Sequence, residues 1–429
     1  MSDTSPLENE PSQPPIEPPK GAMMALFLIV LADLLGFGLI IPSLPFYAQA
    51  YHASDFQIGI LFAIYSLCQL IATPILGMAS DRFGRRPILL LSQIGSVAGY
   101  VLLSVAMMRI WEPAALGLGL VYLSRVIDGI SGGNISTAQA YISDITTKQT
   151  RAKGMGMLGA AFGIGFALGP AVGGVLAHFH PALPALAAAL ASGVAALMTA
   201  VRLPEPARHA HNDESEAWLH PSRFKPIFQN PQLVQLLGIW FFTMMAFVMM
   251  ETVFAIFAKA TYGFRELQVG LFFMFAGVVI IVVQGRMIGK WTKRFGEWKL
   301  VIAGPILVTI AMSTYVYIGN ALPHVQIAVA IMLFAGLCNA TGRSLQGPTL
   351  SSLVSQNSDP RMQGTVFGFY HMLGSLARVI GPLIAAALYS RHHTAPFILA
   401  AVMTLAIALW TIAVRQNATA APPVVDATA

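Results

Sequence analysis

The stretch "GMASDRFGRRP", residues 77–87, packs one acid and three arginines into the six positions from Asp81 to Arg86. It separates two long apolar runs, 57–79 and 87–108, in a chain where only 10% of residues are charged. An apolar run of about twenty residues is long enough to cross a hydrocarbon core of about 30 Å as a helix. The quoted stretch therefore reads as a short polar loop between two spanning helices. Outward from it, such runs recur to both ends of the chain: about 23–47, 57–79, 87–108, 113–141, 153–178, 181–202, 232–258, 268–289, 299–319, 323–350, 362–389 and 395–414. Hydrophobic residues make up 56% of the 429, and mean hydropathy is +0.67. Twelve spans predict an all-α integral membrane protein embedded in a lipid bilayer. The short alternating segments of a membrane β-barrel are absent.

The loop has a second copy. Gly77 matches Gly289, and Arg82-Phe83-Gly84 matches Arg294-Phe295-Gly296, at an offset of 212. Gly169-Pro170 matches Gly381-Pro382 at 212, Arg151-x-x-Gly154 matches Arg361-x-x-Gly364 at 210, and "QIGILF" (57–62) matches "QVGLFF" (268–273) at 211. Six spans followed by six equivalent spans predict two six-helix parallel repeats, with any site near the midplane between them. The expected organisation is a disordered tail over 1–22, a six-helix bundle over 23–202, a linker over 203–231, a second bundle over 232–414 and a tail over 415–429. Trp218, Leu219, Phe224 and Phe228 in the linker suit either a membrane-surface segment or a flexible tether.

Eighteen of the 25 Lys and Arg fall on one side if both termini share it, against four on the other. That asymmetry predicts both termini in the cytoplasm. The formal charge of +6 then needs no nucleic acid to explain it. The first span is longer than the apolar part of a signal peptide and is expected to remain as an anchor. Cys68 and Cys338 lie within spans, without metal-ligand spacing, and read as free thiols. Neither a cofactor nor a metal is expected.

On this topology the opening stretch lies on the cytoplasmic face. Gly77 is expected to allow close helix approach, Gly84 a tight turn and Pro87 a helix start. Arg82, Arg85 and Arg86 are candidates to pair with Asp144 in "YISDIT", and Asp81 to meet the start of span eleven near Arg361. Such a cluster, made in one packing of the halves and broken in the other, is a latch.

Residues 77–86 resemble the loop signature of the major facilitator superfamily. Arg125-x-x-x-Gly129 resembles its second motif. "GAAFGIGFALGPAVGG" (159–174), with Gly165, Gly169, Pro170, Gly173 and Gly174, resembles the third, typical of its proton-coupled exporters. "LADLLGFGLIIPSLPFY", "SDRFGRRPILLLS" and "LQGPTLSSLVSQNSDPRMQGTVFG" are most similar to tetracycline-type drug/proton antiporters. The resemblance implies alternating access and efflux through a bacterial inner membrane. There are departures. Gly99 stands before Tyr100 where those exporters carry an aspartate, 299–319 contains no acid, and Lys293 replaces the acid of Asp81 in the second loop copy.

An ionisable residue near the bilayer centre costs about 2.5–3.5 kcal/mol on insertion scales, so each implies a role or a partner. Six are expected there: Asp33, Arg125, Asp128, Glu251, Arg343 and Arg378. Arg125 and Asp128, three apart on one helix, are placed to neutralise each other. Asp33 has no local partner, and a carboxylate in an apolar cavity is able to load and release protons as access changes. Asp33, Arg125, Asp128 and Glu251 are therefore the proton-coupling candidates. Glu251 and Arg378 lie at matching depth and are expected to face each other; the alternative is that Glu251 titrates alone. Phe37, Tyr65, Gln69, Asn134, Gln139, Asn339, Arg343, Gln346 and Arg378 are candidates to line the substrate cavity, joined by Phe241 and Phe242.

The reading is a secondary transporter, working as a monomer, that exchanges protons for small amphipathic, often cationic, compounds. The alternative within transport is an exporter of sugars or other metabolites. A membrane-embedded enzyme would need a convergent His, Ser or metal constellation, and only His371 lies within a span away from its ends. The chain has no phosphate-binding loop of the kind an ATP-driven pump needs.

Overall fold

Backbone polar groups have no water to bond in hydrocarbon, so these apolar runs satisfy their hydrogen bonds internally as helices. The computed structural model describes residues 22–108, 111–146, 148–206, 225–321, 325–358 and 362–420. Every regular element among them is helical: α1 (Ala22–Ile40), α2 (Leu44–Ala50), α3 (Asp55–Phe83), α4 (Arg85–Met108), α5 (Ala114–Ser131), α6 (Asn134–Ile145), α7 (Lys148–Phe179), α8 (Leu183–Arg202), α9 (Lys225–Gln229), α10 (Pro231–Tyr262), α11 (Glu266–Val282), α12 (Ile288–Phe295), α13 (Glu297–Ala321), α14 (Val325–Gln356), α15 (Gln363–Tyr389) and α16 (Ala395–Ala420). Eleven stretches are long and apolar enough to cross a membrane. The 32-residue α7 is the twelfth span. The tails 1–21 and 421–429, Arg361, Trp218, Leu219 and Phe224 lie outside the described residues.

Three expected spans are not single α-helices. Span one stops at Ile40, turns through Ile41–Ser43 and resumes as α2 with Pro45 in its first turn. Span four breaks between α5 and α6 at Gly132-Gly133, two residues that hold a helix weakly. Span eight passes through a π-helical turn, Val283–Met287, before continuing as α12. Span twelve runs on to Ala420 rather than ending near 414.

The repeat is visible in the packing. In the first half α1 packs on α7 and α8, and α4 on α5 and α8; in the second, α10 packs on α15 and α16, and α13 on α14 and α16. These are equivalent pairs under the 212-residue offset. The halves meet along α3–α15 and α7–α11, which the same two-fold relation exchanges.

Glycines set the closest approaches. A side chain at Gly165 would come within 2.7 Å of Leu34 Cβ, and one at Gly169 within 2.7 Å of Gly38 Cα, so α7 and α1 nearly touch backbone to backbone. Between the halves, a Cβ at Gly174 would lie 2.8 Å from Gly270 Cα, and one at Gly59 2.8 Å from the Pro382 carbonyl. Lys259 Nζ adds a hydrogen bond to Gln49 Oε1 at 2.6 Å. All three inter-half contacts lie at the end of the bundle opposite the Gly84 and Gly296 loops.

Candidate functional site

Three of the six intramembrane charges gather in the first half. Asn134 Nδ2 donates to Asp33 Oδ2 at 2.7 Å. Arg125 Nη1 lies 3.1 Å from Asp128 Oδ2, the pairing the i,i+3 spacing predicts. Tyr65 and Tyr100 flank the guanidinium, with ring centroids 6.0 and 5.8 Å from it. Arg125 and Asp128 are both buried, each compensating the other's desolvation. Asp33 has no such partner. Among the described residues no basic nitrogen lies within 4.0 Å of it, and its Oδ1 is sealed from solvent without a hydrogen bond.

The break in span four is what delivers Asn134 to Asp33. Asn134 is the first residue of α6, and Gln69 Nε2 donates to the carbonyl of Gly132 in the gap at 2.9 Å. A side chain at Gly133 would come within 2.9 Å of the Thr73 backbone nitrogen, so α3 and the break fit closely. Gln69 and Asn134 thus hold the acid and the break; neither lines the inter-half cavity. Gly99 lies against α5, where a Cβ would come 3.1 Å from the Ser124 carbonyl.

A partly open cavity lies between the halves. Phe37, Tyr65 and Arg125 line it from the first half, and Val248, Glu251, Arg378 and Pro382 from the second. Phe37 and Tyr65 stack with centroids 5.1 Å apart. Of the expected lining residues Phe37, Tyr65 and Arg378 are present. Gln139, Asn339, Arg343 and Gln346 are not, and Phe242 turns instead toward Trp410.

Glu251 and Arg378 share this cavity but form no ion pair within 4.0 Å, which corrects the expectation that they face each other as a pair. Arg378 Nη2 donates to Ser375 Oγ on its own helix at 3.0 Å. Arg343 and Arg378 both act on Glu251 from beyond ion-pair distance. Arg343 lies over the ring of Phe247, 3.0 Å from its centroid and one turn from Glu251 along α10. Gln346 Nε2 to Thr243 Oγ1, at 2.8 Å, fixes the register of α14 against α10 one turn further on. A residue four apart on each helix moves the pair by a turn, so Asn339 comes level with Glu251. The Asn339 Oδ1 is buried without a partner.

The opening loop is a network. Arg85 Nε donates to Asp144 Oδ2 at 2.8 Å, as expected, and Arg85 Nη1 contacts Asp81 Oδ1 at 2.5 Å and Ser80 Oγ at 2.7 Å. Asp81, expected at span eleven, therefore pairs within its own loop and stays 64% exposed. Arg86 donates to the carbonyls of Thr199 and Ala200 at the end of α8. Arg82 extends over the neighbouring Phe83 ring, 5.5 Å from its centroid. Gly84 takes φ 106°, where glycine is favoured. Gly77 does not enforce close packing: a Cβ there would meet only Ser136 Oγ, at an ordinary 3.8 Å.

Two features of the loops were missed in the sequence. Glu205, assigned to a linker, accepts from the backbone nitrogens of Arg85 and Arg86 at 2.6 and 3.0 Å, capping the start of α4. The second loop copy is inverted in charge rather than merely decayed. At the 212 offset Arg85 becomes Glu297 and Asp144 becomes Gln356, and Gln356 Nε2 donates to Glu297 Oε2 at 2.8 Å. Applying the offset to the Arg85–Asp144 pair would have found the second bond; nothing in "LPEPARHAHN" announces the first.

Residues 26–382 match the model of the Major Facilitator Superfamily. The chain is 31% identical over 375 residues to the class B tetracycline resistance protein of Escherichia coli, covering 86% of this chain and 88% of that one. It is 30% identical over 384 residues to multidrug resistance protein 1 of Bacillus subtilis, covering 87% and 91%. Among solved structures, the human organic anion transporter MFSD10 (TETRAN) superposes at a TM-score of 0.64 with 26% identity, over 93% of this chain and 100% of that one. Twelve spans in two repeats, the loop signature and these matches agree: the chain belongs to the Major Facilitator Superfamily and is a transporter, not an enzyme.

Proposed function

We propose that the protein exports small amphipathic compounds in exchange for protons by alternating access. The observation that carries this is Asp33, a carboxylate inside the helix bundle with one oxygen held by Asn134, the other free and no cation beside it. Such a group can take up a proton from one side and release it to the other. The tetracycline and multidrug resistance relatives support the direction and the substrate type. Arg125 and Asp128 act as a fixed pair beside the proton site. Glu251 serves as counter-ion to two guanidiniums rather than as a second free carrier.

Residues 23–202 and 232–414 form the two bundles that rock against each other, with 203–231 joining them and 1–22 and 415–429 as tails. The charged loops face the cytoplasm, as do both termini, across a bacterial inner membrane. On that orientation the glycine contacts close the outer end, so the structure is the inward-facing state. The loop network of Asp81, Arg85 and Asp144 lies wholly within the first bundle, so it braces the inner ends of that bundle's helices rather than latching the two halves, and one chain is the working unit. The test is uptake into inverted vesicles under an imposed pH gradient, screened with tetracycline, ethidium and naphthalene derivatives. Gradient-dependent accumulation of at least one of them is expected; accumulation of none, by a correctly inserted protein, overturns the reading.

A further inference from the structure

We propose that the inter-half cavity binds the anionic group of an aromatic compound, held by Arg378, with the uncompensated charge of Arg343 behind the lining adding to the attraction. This names the substrate class of the efflux reading above and rests on it for transport, but not for binding.

The inference follows from the balance of charge around the cavity. Arg125 is already neutralised by Asp128 at 3.1 Å. The remaining charges are Glu251, Arg343 and Arg378: one carboxylate for two guanidiniums. Among the described residues neither Arg343 nor Arg378 has a carboxylate oxygen within 4.0 Å. Among the described residues, Arg378 donates to the Ser375 hydroxyl and Arg343 lies on the face of Phe247. Both side chains are half-buried inside a membrane-spanning bundle. A cation there is costly, and two with a single counter-charge leave a standing surplus of one. A guanidinium presents a planar fork of donors that matches a carboxylate or another oxyanion.

The rest of the lining sets the remainder of the ligand. The stacked rings of Phe37 and Tyr65 form an aromatic wall, and Val248, Leu61 and Pro382 add apolar surface. A planar aromatic body against that wall, with its acidic group toward Arg378, fits the chemistry of both sides. A cationic amine is the poorer match. The carboxylate it would seek, Glu251, already sits in the field of two guanidiniums. Asp33 lies outside this lining, so the expectation of a cationic ligand based on it does not apply to the cavity.

Calorimetric titration of the purified full chain with three matched probes tests the proposal: 2-naphthoate, 2-naphthamide and 2-(aminomethyl)naphthalene. The naphthoate should bind at least about tenfold tighter than the amide, and the amine weakest. Arg378→Gln should erase most of that preference, Arg343→Gln should weaken it by less, and both should leave the amide unchanged. Arg378→Lys, which keeps the charge, should retain part of it and guards against a folding defect in the glutamine variant. Glu251→Gln, by removing the competing carboxylate, should tighten naphthoate several-fold. Equal binding of naphthoate and naphthamide, tighter binding of the amine, or a Glu251→Gln variant that weakens naphthoate would each overturn the proposal. The vesicle assay separates the two readings. Naphthoate preference without gradient-driven accumulation of any compound removes efflux and keeps the anion site. Accumulation of ethidium with no naphthoate preference does the reverse.

Discussion

Asn134 Nδ2 donates to Asp33 Oδ2 at 2.7 Å across the gap where span four is broken, tying an acid in α1 to the first residue of α6. A helix break inside a membrane bundle frees backbone groups that must find partners, and such breaks are tolerated where protein or a cavity supplies them. Here Gln69 takes the Gly132 carbonyl. The break, its repair and the acid are one construction.

Asp33→Asn should therefore reduce proton-driven accumulation to background while leaving membrane insertion and ligand binding in place, because only the titrating group is lost. Accumulation in vesicles, set beside calorimetric binding, makes the comparison. Gradient-driven transport at wild-type rates in this variant would remove Asp33 as the carrier. Asn134→Ala keeps the acid but deletes its hydrogen bond, so it should move the pH profile of transport and leave the maximal rate largely unchanged.

The loop network predicts graded losses. Asp144→Asn leaves the nearly buried Arg85 with only the exposed Asp81 as a charge partner, a cost of about 1–3 kcal/mol for a charge-assisted bond. Glu205→Gln weakens only the cap on α4, at about 0.3–1 kcal/mol. Thermal unfolding of the purified variants should rank Asp144→Asn below Glu205→Gln, with both below wild type. The reverse ranking would show that Glu205, not Asp144, holds the loop.

The glycine contacts at the closed end predict a shift in population. Gly174 and Gly59 leave no room for a branched side chain against Gly270 and Pro382. Gly174→Val should hold that end apart and favour the opposite state. In a Cys68→Ser/Cys338→Ser background, a cysteine placed at Ser43, fully buried in this state, should then react faster with an impermeant maleimide added from outside. An unchanged rate would mean that the α7–α11 contact does not gate access.

The twelve spans, the repeat and the Arg125–Asp128 and Arg85–Asp144 pairs were legible in the sequence because each depends on local chemistry or on a fixed offset. Apolar runs force helices, three-residue spacing puts Arg125 beside Asp128, and a charged loop finds the acid at the adjoining helix end. What stayed hidden depends on how helices rotate about their axes. Depth alone puts Glu251 beside Arg378, but rotation turns Arg378 toward Ser375 and lays Arg343 over Phe247, one turn from Glu251. Gln69 and Asn134 read as lining residues because a polar side chain in a span looks the same whether it faces a cavity or repairs a break. Glu205 was invisible for another reason: a cap formed 120 residues away in sequence leaves no local pattern.

That rotation makes the last prediction a contest between two arginines for one carboxylate. Arg343 lies over Phe247, one helical turn from Glu251 along α10, whereas Arg378 shares the cavity lining with it from α15. Two double-mutant cycles on thermal unfolding separate them: Glu251→Gln with Arg343→Gln, and Glu251→Gln with Arg378→Gln. Each cycle cancels the loss of packing common to the single variants and leaves the pairwise interaction. Because neither guanidinium comes within 4.0 Å of Glu251, couplings of about 0.5–3 kcal/mol are in range, short of those for a sealed ion pair. The Arg343 cycle should give the larger coupling. Arg378→Gln should unfold near the wild-type temperature, since it gives up only a neighbouring serine hydroxyl and a distant charge. A larger coupling to Arg378 would mean that the two residues do pair directly, and would restore the arrangement that helix depth alone suggests.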